Sequence, residues 1–186
     1  NIPSKNNVII PAFQRLSKTI GKDRVIWRYD PVFFNERYTM EYRCKYFRVL
    51  ASKLGEYTEK CTVSFLDLYR NTARNTKPLK IQQETKEQQL EIMQKFSEIS
   101  KEYGFYIDTC AEAIDLEKFN ITHAHCIDKD RFERLGKCKL SVGKDPNQRP
   151  ECGCIASIDI GAYNTCRNGC LYCYANYNHN TVIRNT

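Results

Sequence analysis

Apolar residues recur along the chain with two alternating periods. Ile9, Phe13, Leu16 and Ile20 follow a 4, 3, 4 spacing, one stripe of a 3.6-residue helix. Pro11 either opens that helix or kinks it, and Gly21 stands where a C-terminal cap belongs. Val25-Ile-Trp-Arg-Tyr-Asp30 then reads as a strand stopped by Pro31. Thr39 is placed to cap a second helix, whose stripe is Met40, Cys44, Phe47, Ala51 and Leu54, closed by Gly55. Cys44 lies within that stripe and is read as core. Cys61-Thr-Val-Ser-Phe-Leu-Asp67 is a second strand, finished by Leu68 and Tyr69, with Cys61 read as an inert thiol.

A longer helix is predicted over 84–103, with Ile92, Phe96, Ile99 and Tyr103 on one face and Thr85 and Gln88 at capping-box spacing. Gly104 closes it, and Phe105-Tyr-Ile-Asp-Thr-Cys110 is a third strand. Past Glu112 the pattern weakens. Short helical pieces are expected near 115–119 and 128–135, and a polar turn-rich loop over 141–149. A fourth strand is expected over 155–160, ended by Gly161, and the polar tail beyond Asn176 is expected to fray.

Helices alternating with strands at a spacing of roughly forty residues predict parallel βα units. The fold class is therefore α/β, either a partial (β/α) barrel or an open parallel sheet. Residues 1–150 form that layer, and 151–186 form a cysteine-rich, cluster-binding segment continuous with it. Right-handed crossovers turn all strand carboxy ends to one rim, where sites are built. Arg28, Asp30, Asp67, Tyr69, Cys110, Glu112 and the loop after the last strand are expected at that mouth.

Composition narrows the partners. The 186 residues suffice for one domain with a buried core. The net charge of +7 favours anionic partners without proving nucleic-acid binding. No apolar run approaches the ~20 residues that span a bilayer, so no membrane partner is expected. The chain opens on Asn1-Ile-Pro3 without methionine and is expected to be the carboxy-terminal part of a longer protein. Ten cysteines without a secretion signal predict reduced thiols, metal and a cytoplasmic location.

Five of those cysteines crowd together: Cys152, Cys154, Cys166, Cys170 and Cys173. The last three have C-x3-C-x2-C spacing, one thiolate short of a closed zinc site or a fully ligated four-iron cluster. A 4Fe-4S cubane on three cysteines leaves one iron open. The loop thereby resembles that of radical S-adenosylmethionine (SAM) enzymes, whose open iron chelates the amino and carboxylate groups of SAM. Tyr172 takes the place of the aromatic that lies near the adenine in such loops. A zinc knuckle and a disulfide cluster are the alternatives.

Cys110, Cys126, Cys152 and Cys154 could close a second iron–sulfur cluster or a Zn site, or Cys110 and Cys126 could be merely buried. His123 and His125 are read as surface residues, and Cys138, among lysines, as a bystander. Arg28 and Asp30 either pair with one another or grip SAM or substrate. Asp67 is a candidate acceptor for a ribose hydroxyl and Glu112 for the SAM ammonium, each beside a structural reading. The basic stretch with Arg70, Arg74, Lys77 and Lys80 fits a phosphate-bearing substrate, nucleic acid or an ordinary solvated loop.

Asp159-Ile-Gly-Ala-Tyr-Asn-Thr-Cys166, followed by Gly169-Cys-Leu-Tyr-Cys-Tyr-Ala-Asn176, resembles the signature of an uncharacterised bacterial family, domain of unknown function 1848. The likeness extends upstream through Val25-Ile-Trp-Arg-Tyr-Asp-Pro31, Ser64-Phe-Leu-Asp-Leu-Tyr69, Thr109-Cys-Ala-Glu112 and Cys126-Ile-Asp128, essentially the whole chain. That family carries a carboxy-terminal cysteine cluster similar to the one near the amino terminus of radical SAM proteins. The resemblance implies a 4Fe-4S protein that cleaves SAM reductively, with a flavodoxin or ferredoxin as electron source and a substrate the family does not supply. Because the loop follows the last strand instead of the first, a barrel here would be a circularly permuted radical SAM barrel. The glycine-rich SAM-binding segments of such barrels are not apparent among only eight glycines. Two other functions stand beside this one: a non-catalytic iron–sulfur or zinc module, and a nucleic-acid-binding protein stapled by metal.

Overall fold

The computed structural model describes residues 2–186. A π-helical turn at Lys5–Ile9 leads into α1 (Ile10–Ile20), and Pro11 falls in its first turn, where a missing N–H breaks no helical bond. Gly21 follows at φ +97°, a conformation that side-chain-bearing residues rarely adopt. Next come β1 (Trp27–Val32), α2 (Met40–Leu54), β2 (Lys60–Phe65), the short α3 (Arg70–Asn75) and α4 (Lys86–Glu102). The chain continues through β3 (Tyr106–Thr109), β4 (Thr122–His123), α5 (Lys129–Gly136) and α6 (His179–Asn185). The helix caps fall where expected. Thr39 Oγ1 accepts from the Tyr42 N–H at 3.2 Å. Thr85 and Gln88 bond reciprocally at 3.0 and 3.3 Å.

The four strands form a parallel sheet in the order β1-β2-β3-β4. Strands adjacent in sequence are adjacent in space, and β1 and β4 remain its edges. One face carries Trp27, Cys61, Val63 and Ile107, which pack with Phe47, Phe96, Ile92 and Met93 of α2 and α4 into a single buried cluster. Phe47 is its centre, stacked on Trp27 at 5.0 Å and on Phe96 at 4.0 Å between ring centroids. Cys44 packs against this cluster, and Cys61 lies fully inside it with its thiol pushed well up by burial. Both are packing residues, as the stripe position of Cys44 and the place of Cys61 at the start of a strand predict.

The opposite face is polar. Arg28, Thr62, Asp108 and Thr122 stand in register across the four strands. Lys60 and Asp108 pair there at 2.5 Å, each 3% exposed, and the Thr62 hydroxyl donates to the other Asp108 oxygen at 2.6 Å. A buried ion pair persists only when its remaining bonds are satisfied, and Thr62 supplies one of them.

Four expectations fail. Pro31 does not stop β1, which runs on to Val32 through a cis Asp30–Pro31 peptide and a register shift. An edge strand tolerates proline because an unpaired side needs no N–H. Residues 155–160 are not a strand: Ile155 makes one bridge to Lys144, while Ile158 and Ile160 are 89% and 97% exposed. The fourth place in the sheet goes instead to Thr122–His123, locked on by the Ala124 N–H bonding Thr109 O at 2.6 Å. The basic stretch is not an open loop but α3 and a 3-10 turn at Lys77–Leu79, with Thr72 and Thr76 buried. The tail does not fray either, since Asn178 caps α6 by accepting from Asn180 and Thr181 N–H groups at 2.9 and 3.2 Å. Among the described residues no helix is long and apolar enough to cross a membrane.

Candidate thiol and metal centre at the strand ends

The rim is built from residues that leave the polar face of the sheet. Arg28 and Asp30 share that face two residues apart on β1. Arg28 Nε and Nη2 donate to Asp30 Oδ2 at 3.1 and 2.7 Å. The third arm of the fork, Nη1, donates to Cys126 Sγ at 3.0 Å. Cys110 follows β3 directly, and its N–H bonds Val63 O at 3.0 Å, which holds it at the rim. Its sulfur lies 3.2 Å from that of Cys126. Parallel pairing of neighbouring strands thus joins four residues spread from 28 to 126.

The electrostatics split the two thiols. The hydrogen bond from Cys110, then that from Arg28, outweigh burial and pull Cys126 down to about 5. Its partner Cys110 is pushed up, because the bond to Cys126 and burial both favour its protonated form. Burial opposes the charge of Arg28, but Asp30, Cys126 and Cys110 together hold it firmly protonated.

Cys152 and Cys154 are both buried behind this rim. Cys154 Sγ accepts the Ile127 N–H at 3.3 Å, and burial, with the Cys152 thiol nearby, raises its pKa. Gly153 separates the pair for a steric reason: a Cβ there would meet the His125 ring at 2.3 Å. His123 and His125 are both exposed, as expected. Cys138 is exposed too.

Asp67 and Glu112 have partners of their own. Asp67 Oδ2 accepts from Arg149 Nη1 at 2.9 Å, which ties the polar loop over residues 141–149 to the end of β2. Glu112 Oε1 accepts the Phe65 N–H at 2.8 Å, and burial raises its pKa. These two carboxylates pin loops to the rim.

The C-x3-C-x2-C loop stands apart from the packed layer. Cys166 is exposed, and Cys170 and Cys173 are half-buried. Gly169 takes φ +70° before Cys170, and the Cys173 N–H closes a turn onto Cys170 O at 3.1 Å. Tyr172 has its phenol pKa raised by burial, by Cys170 beside it and by the charge of Asp30.

Asn164, which the sequence reading passed over, organises this loop. It adopts φ +58°, and its Oδ1 accepts from the Tyr177 and Asn178 N–H groups at 2.7 and 3.4 Å. Its own N–H bonds Ala175 O at 3.0 Å, and Asn176 Nδ2 donates to Cys166 O at 2.7 Å. Asparagine tolerates the left-handed region better than most residues, and its place two residues before the first cysteine was the available signal. The Lys60–Asp108 pair was also missed, although the polar alternation Lys60, Thr62, Ser64 marks a face that is not apolar core.

All ten cysteines are free thiols. Among the described residues no three His, Cys, Asp or Glu side chains are gathered as a formed metal site. In donor chemistry the loop suits an iron–sulfur cluster: three unpaired thiols outside the core, on one short stretch held at both ends. Cys110 and Cys126 form one contact pair and Cys152 and Cys154 another, and the four are not gathered as one formed metal site.

A family described as Domain of unknown function (DUF1848) matches residues 1–175. No curated protein and no solved structure matches the chain.

Proposed function

The chain belongs to the DUF1848 family, and we propose that it is a radical-SAM-like iron–sulfur protein whose cofactor loop works at the carboxy-terminal rim of the sheet. The observation that carries this reading is the loop itself: Cys166, Cys170 and Cys173 are free thiols outside the core, on one short stretch whose backbone Asn164 and Asn176 tie down. Three thiols on one loop are the donor set that leaves a cluster iron open. Bound there, a 4Fe-4S cluster would supply a coordination site for SAM and pass on the electron that cleaves its sulfonium, delivered by a flavodoxin or ferredoxin type reductant.

In this reading Cys166, Cys170 and Cys173 hold the cluster. Asn164 and Asn176 set the loop's course by tying its backbone on either side of the cysteines. Tyr172 offers its ring as the wall for an adenine. The Arg28–Asp30 pair fixes the polar end of β1. Arg149 and Asp67 tie the polar loop to the end of β2. In this reading the open sheet, with α2 and α4 packed on one face and charged residues on the other, is one arc of a (β/α) barrel with the cofactor loop in permuted order. The net charge of +7 favours an anionic substrate, phosphate-bearing or nucleic acid.

The test is anaerobic reconstitution with iron and sulfide, followed by iron and sulfide analysis and assay of SAM cleavage to methionine under dithionite. A Cys166→Ala, Cys170→Ala, Cys173→Ala variant is run alongside. The reading expects about four irons per chain and methionine release, both lost in the variant. Iron retained without any SAM cleavage would favour the second reading, a non-catalytic iron–sulfur or zinc module. That reading draws support from the three thiols not being gathered in advance.

A further inference from the structure

Two thiols at the rim stand outside the proposed cofactor loop. Cys110 and Cys126 come from the ends of adjacent strands, their sulfurs 3.2 Å apart. The backbone fixes that approach, through Cys110 N–H on Val63 O and Ala124 N–H on Thr109 O. A disulfide needs the sulfurs at about 2.05 Å, so a shift of roughly 1.2 Å closes the pair. The two thiols differ in setting. Cys126 is exposed and faces a guanidinium at 3.0 Å, whereas Cys110 is half-buried with its sulfur against that of Cys126. A thiol beside a fixed positive charge is the attacking partner of an exchange pair, and its shielded neighbour is the resolving partner. The other thiols differ in setting: Cys61 lies within the core, Cys138 is exposed without a neighbouring cysteine, and Cys152 and Cys154, though close to one another, are both buried.

We infer that Cys126 and Cys110 form a redox-active dithiol, set by Arg28, that exchanges with low-molecular-weight disulfides at the strand-end rim. Cys126 thiolate attacks one sulfur of the disulfide RS–SR, forming a mixed disulfide and releasing RS⁻. Cys110 then gives up its proton and attacks Cys126 Sγ, forming the Cys110–Cys126 bond and releasing the second RS⁻. The two thiolates take up the protons lost by the pair, so the protein gives two electrons and the disulfide leaves as two thiols. This pair uses none of Cys166, Cys170 and Cys173, so its test is independent of the cofactor reading.

The experiment treats the full chain carrying Cys166→Ala, Cys170→Ala and Cys173→Ala, freed of metal by chelator, with oxidised glutathione, and maps the products by peptide mass spectrometry. The expected product is a Cys110–Cys126 linked peptide pair lighter by two hydrogens. With Cys110→Ser added, a glutathione adduct should accumulate on Cys126, and with Arg28→Gln added instead, Cys126 should react about tenfold more slowly. The intact chain is also analysed for metal before chelation. Adducts spread over Cys138 and Cys126 alike, without the linked pair, would overturn the proposal. So would one zinc or iron per chain that the triple-alanine protein keeps and a Cys126→Ser change removes.

Discussion

Two isoleucines separate the halves of this molecule. Ile107 and Ile160 each sit in a run of the sequence that predicts a strand. Ile107 is 2% exposed, between β2 and β4 and under the helical layer, while Ile160 is 97% exposed with no strand beside it. The layer through His123 is ordered by burial: its stripes meet in one aromatic core. The cysteine-bearing segment is ordered by local bonds from Asn164, Asn176 and Asn178, and leaves Tyr163, Tyr174 and Tyr177 at the surface. Hydrophobic pattern decides structure only where a partner face exists to bury it. In the second half the determining chemistry is that of thiols and amides.

The sharpest way to break this contrast is to remove apolar mass from each half. Phe47→Ala should cost about 3–5 kcal/mol through transfer and cavity terms, read as a drop in the urea midpoint. Ile160→Ala should change stability by less than about 0.5 kcal/mol. Equal losses would mean that the two halves share one core.

The second prediction concerns the polar face of the sheet. Lys60→Met leaves Asp108 charged and nearly buried, with Thr62 as its remaining partner, and should cost about 3 kcal/mol. Adding Asp108→Leu should recover much of that loss, since two apolar residues pack where one orphaned charge could not. A double variant as unstable as the single one would show that the pair is needed for more than neutralising itself.

Smaller effects should stay inside the second half. Gly153→Ala drives a methyl group into the His125 ring and should cost roughly 1–3 kcal/mol by overpacking, with faster alkylation of the buried Cys152 and Cys154. Asn164→Ala removes the acceptor for Tyr177 and Asn178. It should loosen the loop by about 1 kcal/mol, seen as faster amide exchange over 175–178 with the global midpoint unchanged. A global shift from Asn164→Ala would tie the loop to the core and erase the contrast.

How much of this was legible in the sequence follows the same boundary. The stripes of α1, α2 and α4, their threonine caps and the first three strands were readable because local period, cap chemistry and burial all agree there. The meeting of Arg28 and Asp30 with Cys110 was readable as a consequence of parallel strand ends, whereas the place of Cys126 depends on the short strand Thr122–His123, which no pattern announced. The strand expected over 155–160 was not, because alternation states a preference and says nothing about whether a sheet edge is free; Thr122 and His123 had taken it. The engagement of Asp67 with Arg149 depends on a loop fold that no periodicity encodes. Asn164 was hidden for a related reason, since its effect comes from one left-handed backbone turn and not from a repeating pattern.

The most direct measurement is the EPR spectrum of the anaerobically reconstituted, dithionite-reduced protein, recorded with and without SAM and compared with the triple Cys166, Cys170, Cys173→Ala variant. The account predicts a reduced 4Fe-4S signal that shifts when SAM is added and is absent from the variant. A signal indifferent to SAM, or one that survives loss of all three cysteines, would contradict it.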